Sequence, residues 1–266
     1  MTPALLAALA AARDAKRPAV LATRLPDGAQ TLLVRDDAGS LDTPGATPGL
    51  ADAADAALRD DACRTVTLGG APEESWFLQA FNPPVRLVVV GAVHIAQALV
   101  PLASGLGFAV TVVDPRGAFA SEARFPGVAL SRDWPDEALA ALRPDSRTAV
   151  ITLTHDPKLD DPALDAALRS DAFCVGALGS RKTHAARLDR LRALGHDDAA
   201  LARIHGPVGL DIAAVTSAEI ALSIAAQLVL ARRRTVAPGR AAEVTPAHVR
   251  EEAGVDEAVS GVPVAG

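Results

Sequence analysis

The sequence predicts an α/β chain: a parallel-sheet domain preceded by a smaller α+β domain. Three observations lead there. After Asn82-Pro83-Pro84, short β-branched runs alternate with helical patterns, the order that produces a parallel sheet with crossover helices. Before that point, strand-like runs cluster around a single helical pattern. The 266 residues, half of them hydrophobic, suffice for one full core and a smaller one.

Taken in order, "MTPALLAALAAARDAKRP" predicts an amphipathic helix; it lacks the basic start of a secretory signal and carries Arg13, Asp14 and Lys16. Strands are expected at "AVLATRL", "TLLVR", "RTVTL" and "SWFLQAF", with a helix over "LADAADAALRDD". Because Pro83 and Pro84 forbid helix, the boundary is placed there, giving domains 1–82 and 83–234. The second domain then reads "RLVVV", helix from His94, "AVTVVD", a short strand near 130, helix after Pro135, "TAVITLT", helix after Pro162, "AFCVGAL" and helix from Ser180. A last helix opens on the capping box Thr216-x-x-Glu219 and ends in Arg232 to Arg234. Residues 235–266 mix Pro, Gly and charge and are expected to be an irregular tail.

Between Arg86 and Asp114 no side chain is charged if His94 is neutral, which is long enough to span a bilayer. Gly91, Pro101, Gly105 and Gly107 break the run into strand, turn, helix and strand, so no membrane partner is expected. The net charge of −6 has no long like-charge blocks and gives no nucleic-acid footprint. Cys63 and Cys174 form no metal-spaced pair; a buried free thiol at Cys174 suits a reducing compartment, and the cytoplasm is the expected location.

"GAVHIA" places Gly91, Val93 and Ala96 at the three glycine positions of the dinucleotide fingerprint. Ala is an accepted variant at the third place, whereas Val93 puts a branched side chain where phosphates approach closest. Asp114 follows Gly91 by 23 positions (114 minus 91), the spacing of the acid that grips a ribose hydroxyl. The alternative is an ordinary parallel-sheet turn in which Asp114 caps the turn at Pro115. His94, in the first helical turn, suits either a ligand phosphate or a loop carbonyl.

Polar residues after parallel strands converge on one crevice. "THDPKLDDP" offers Thr154, His155, Asp156 and Lys158 there, and "LGSRKTH" offers Gly179, Ser180, Arg181 and Lys182. The second loop sets two cations at a helix N-terminus, which is unfavourable unless an anion answers them; otherwise Ser180 simply caps the helix. "THD" lacks a complementary ligand cluster, so no metal site is expected. "IHGPVGLD" carries His205, Gly206 and Asp211 in a turn that either covers the crevice or merely connects.

Together "VVVGAVHIAQAL", "VTVVDPR", "RFP", "TLTHDPKLDDPAL", "GALGSRKTHAARLDRL" and "IHGPVGLDI" resemble the xanthine dehydrogenase accessory family, XdhC/CoxI, over roughly Phe81 to Arg234. The resemblance implies a Rossmann-like C-terminal domain after an XdhC/CoxI-type N-terminal domain. It also implies a maturation factor, not a stand-alone enzyme, that binds molybdenum cofactor as molybdopterin or its cytosine dinucleotide. Such a factor guards the cofactor while a sulfurtransferase adds its terminal sulfur, then delivers it to a molybdenum hydroxylase apoenzyme of the xanthine dehydrogenase type; a homodimer is implied as well. Gly91, His94, Asp114, Thr154 to Lys158, Gly179 to Lys182 and His205 to Asp211 occupy the family's motif positions.

Two departures stand out. "GAVH" replaces the "GAGH" of many members, and "TPGATPGLADAADAALRDD" lacks the cysteine that many carry before this helix; Cys63 falls after it. Residues alone also admit an NAD(P)-dependent oxidoreductase, through Gly91 and Asp114, or a nucleotide-sensing binding module.

Overall fold

The computed structural model describes residues 1–36, 38–41, 47–69 and 74–236. The expected tail lies outside these residues except for 235 and 236, which end the last helix. The first four residues of the cysteine-free segment, 43–46, lie outside them too.

The chain opens with α1 (Pro3–Asp14), capped where Leu5 N donates to Thr2 Oγ1 and started by Pro3, whose missing N–H is no loss in the first turn. Next come β1 (Ala19–Arg24), β2 (Gln30–Val34), α2 (Leu50–Asp60), β3 (Arg64–Leu68) and β4 (Glu74–Phe81). The strands pair antiparallel in the order β2-β1-β4-β3. Val20, Ala22, Leu33 and Leu78 bury one face of this sheet against Ala54, Ala57 and Leu58 of α2.

The second unit runs β5 (Val85–Val90), α3 (His94–Gly105), β6 (Phe108–Val113), β7 (Ala129–Ser131), α4 (Pro135–Leu142), β8 (Thr148–Thr152), α5 (Pro157–Leu168) and β9 (Cys174–Ala177). It closes with α6 (Arg181–Ala193), α7 (Asp198–Leu201), β10 (Ile204–His205) and α8 (Ser217–Val236). Six parallel strands lie in the order β7-β6-β5-β8-β9-β10. Numbered within the sheet this is 3-2-1-4-5-6, the doubly wound order whose direction reverses between β5 and β8.

Both faces are covered, which is why the strands read as unbroken apolar runs. Leu87, Val89, Val112 and Ile151 pack toward α3 and α8. Their neighbours Val88, Val90, Val113 and Val150 face the opposite core with α4 and α5.

Two expectations needed correction. The helix expected after Pro162 starts at Pro157, because Asp156 caps it by accepting from Lys158 N; Pro162 sits inside and lacks only the N–H that would have bonded a turn back. Ile204 and His205, read as part of a turn, form the sixth strand by pairing with Val175 and Gly176. The final capping box is present: Glu219 accepts from Thr216 N at 2.8 Å, and Thr216 Oγ1 accepts from Glu219 N at 3.3 Å.

The two units meet at the edge where the parallel strands begin. Asp61, just past α2, accepts from Asn82 Nδ2, Arg147 Nη2 and Arg232 Nη2, while Arg147 Nε donates to Pro83 O.

Candidate functional site

Every sequence-predicted site residue on a βα loop stands at the opposite edge, where the strands end. Gly91 leaves β5 with φ +106°, and a Cβ there would lie 2.5 Å from Thr154 Cγ2. The loops after β5 and β8 therefore touch at the switch point. Next along the rim, Gly179 (φ +141°) would bring a Cβ within 3.7 Å of His155 Nδ1. Farther on, Gly206 lies under the ring of His184.

The N-termini of α3, α5 and α6 on this rim differ. Ser180 Oγ accepts from Thr183 N and caps α6; Asp156 caps α5. α3 follows Val93 with no side-chain cap and no acid in its first turn, so its first N–H groups and the positive end of its dipole face the crevice. Val93 turns partly into the core beneath α3, Ala96 is fully buried there as close helix packing requires, and His94 is exposed. Lys158, Arg181 and Lys182 are exposed on the rim.

Asp114 is enclosed. Its Oδ2 accepts from Ala92 N and Arg116 Nη2, both at 2.8 Å, and its Oδ1 accepts from Arg116 N at 3.0 Å and Arg116 Nε at 2.9 Å. Burial pushes its carboxyl up, but these bonds together hold it below the usual carboxylate range. The residue shows no exposed surface.

Behind the rim, Thr154 Oγ1 donates to Asp160 Oδ1 at 2.6 Å, and Asp160 faces Arg187 of α6. Burial raises the Asp160 carboxyl and lowers the Arg187 guanidinium. Burial, then the Arg187 charge, lowers His184; desolvation, then Arg234, lowers His205. Asp211 is exposed and accepts from Ala213 N in its own loop.

Sequence reasoning missed Arg116, Arg124 and Arg187. Arg124 donates to Ala92 O and Gln97 Oε1, tying the segment before β7 to the first loop. The "RFP" motif contained it without showing that contact. Cys174 lies deep in the core, its thiol pushed up to about 12, and takes no part in the rim. Among the described residues no helix is long and apolar enough to cross a membrane.

A doubly wound sheet, an uncapped α3 and a glycine contact at the switch point define a Rossmann-type domain. The chain belongs to the XdhC family: residues 87–228 match its XdhC Rossmann domain. It is 34% identical over 156 residues to the molybdenum cofactor insertion chaperone PaoD of Escherichia coli (strain K12), a match covering 59% of this chain and 43% of PaoD. It is 30% identical over 159 residues to a probable xanthine dehydrogenase subunit of Bacillus subtilis (strain 168), covering 59% and 46%. The matched stretches span less than half of these relatives. A crystal structure of a xanthine dehydrogenase from Bacillus halodurans shares the fold, with a TM-score of 0.68 at 23% identity over 90% of this chain and 70% of that one.

Proposed function

We propose that this chain is a maturation factor that holds molybdenum cofactor by its anionic end at the strand-end crevice and delivers it to a molybdenum hydroxylase of the xanthine dehydrogenase type. The observation that carries this is the uncapped N-terminus of α3 beside the Gly91–Thr154 contact, in a chain of this family and related to PaoD. Free N–H groups at a helix start, close backbone approach and exposed cations along the rim fit a phosphate or diphosphate tail. When bound, the group supplies the molybdenum centre that the recipient enzyme uses.

The chain's own residues bind, orient and shield. The α3 N–H groups meet the phosphoryl end, Gly91 lets the loop after β8 close against the turn that leads into α3, and Arg181 and Lys182 add cationic donors on the rim. Thr154, His155, His94 and the His205–Asp211 turn border the remaining opening. A sulfurtransferase as sulfur donor, a homodimer and a cytoplasmic location complete the proposal. For the dimer, α3 and α8 pack together while exposing Leu102, Leu222 and Val229.

The geometry does not favour the NAD(P)-dependent oxidoreductase, since Asp114 already has its donors. Native mass spectrometry on anaerobically purified chain tests the proposal. A pterin or cytosine dinucleotide adduct is expected; a nicotinamide nucleotide instead, or no adduct after adding molybdenum cofactor, would overturn it. Light scattering tests the dimer.

A further inference from the structure

The acid that a doubly wound domain normally presents to a ribose is fully engaged here. A carboxylate has about four lone-pair directions, and Asp114 has four N–H donors on them, two on each oxygen. Three of the four come from Arg116, two residues on. A ribose diol arriving at this strand end would have to displace a bidentate, charge-assisted pair from a site with no exposed surface.

Arg116 does more than cover the acid. Its Nε and Nη2 hold Asp114, and Nη1 is the edge of the guanidinium not committed there. The guanidinium rests 4.5 Å from the centre of the Phe119 ring, and the side chain is 39% exposed. Because Asp114 also accepts from Ala92 N, its charge lies directly beside the turn that leads into α3. Left bare, that carboxylate would repel an anion coming to the α3 N-terminus; paired with Arg116, it does not.

From this we infer that Arg116 is the specificity-determining residue of the crevice: it masks Asp114, so that a nucleotide-type ligand is recognised by its phosphoryl groups and not by its ribose diol. The inference rests on the crevice reading above and narrows its ligand class to phosphate esters and diphosphates whose sugar hydroxyls are not read.

Calorimetric titration of the full chain with cytidine diphosphate and 2′-deoxycytidine diphosphate tests it. The two should bind wild-type protein within about twofold of each other, as no hydrogen bond to the 2′-hydroxyl is lost. Arg116→Ala should weaken both by about tenfold or more and make the ribonucleotide the better ligand by about fivefold, because a freed Asp114 oxygen can then accept from the diol. Arg116→Lys keeps a cation on Asp114, so it should lose affinity while staying indifferent to the 2′-hydroxyl. Circular dichroism checks folding; if Arg116→Ala does not fold, the wild-type ratio and Arg116→Lys still decide.

A wild-type preference for the ribonucleotide of about tenfold, unchanged affinities in Arg116→Ala, or no binding of either nucleotide would overturn the inference. If a pterin still co-purifies in any of those cases, the proposed role stands and only the role of Arg116 falls. If no pterin binds but the two nucleotides behave as expected, the reverse holds.

Discussion

Asp160 and Arg187 face each other at 3.5 Å between α5 and α6, with side chains only 1% and 2% exposed. Arg187 Nη2 also donates to Leu178 O, while its Nε and Nη1 have no protein partner among the described residues. The pair is therefore held in a low-dielectric space with incomplete compensation. Removing one member of such a pair typically costs about 3–5 kcal/mol, so Arg187→Met should lower stability by about that much at neutral pH. Urea unfolding at pH 7 measures it, and a loss under about 1 kcal/mol would show the pair to be hydrated.

The same pair sets a pH dependence. The Asp160 carboxyl is raised on folding, so its contribution is complete below the ordinary carboxylate pKa and is lost as pH rises through the folded value. Compared with Asp160→Asn, wild-type protein should lose stability as pH rises above about 4. Paired melts across that range give the answer; parallel curves would contradict it.

Asp114 has the opposite sign. Its carboxyl is depressed on folding, so it contributes above its ordinary value of 3.8, and that contribution disappears as pH falls through the folded value. Asp114→Ala should cost about 1–3 kcal/mol at pH 7 by leaving the Ala92 N–H without its acceptor. The difference from wild type should shrink in acid, which an acid-unfolding series would detect.

Gly91→Ala forces a side chain onto a φ of +106° and against the Thr154 methyl. The backbone strain alone should cost about 1–3 kcal/mol. Thr154→Ser removes the methyl and keeps the hydroxyl that bonds Asp160, so the double variant should recover part of the loss. Simple additivity in chemical denaturation would mean the loops do not touch as described.

Arg181 is a cation in the first turn of α6. Arg181→Ala should raise stability by about 0.3–1 kcal/mol, since the helix dipole opposes that charge. If Arg181 meets the phosphoryl end of the ligand, the same change should weaken binding of molybdopterin by about 1.5–3 kcal/mol. Thermal melts and titration separate the two effects, and unchanged binding would remove Arg181 from the site.

Much of this is legible along the chain. The runs at 85–90, 108–113 and 148–152 identify themselves because both sheet faces are covered, leaving few places for polar residues. Gly91 reads as a turn glycine from its place between an apolar strand and an amphipathic helix. The start of α5 is harder, because Pro162 looks like a boundary while Asp156-Pro157 is the real one. β10 is two residues long and carries no periodicity. The position of Asp114 points to a ribose contact, but its actual partners include Ala92, 22 residues earlier, and an arginine whose direction no spacing rule gives. Asp160 and Arg187 are 27 residues apart, and only the packing of α5 on α6 brings them together.

The clasp at Asp61 bears on traffic. Arg147, Arg232 and Asn82 fasten the antiparallel sheet at the edge where the parallel strands start, and the candidate crevice opens where they finish. Loading dock and hinge pin thus sit at opposite ends of one sheet. On the proposed role, a recipient enzyme can approach the cargo from the far side, and the handover requires no parting of the chain's two halves.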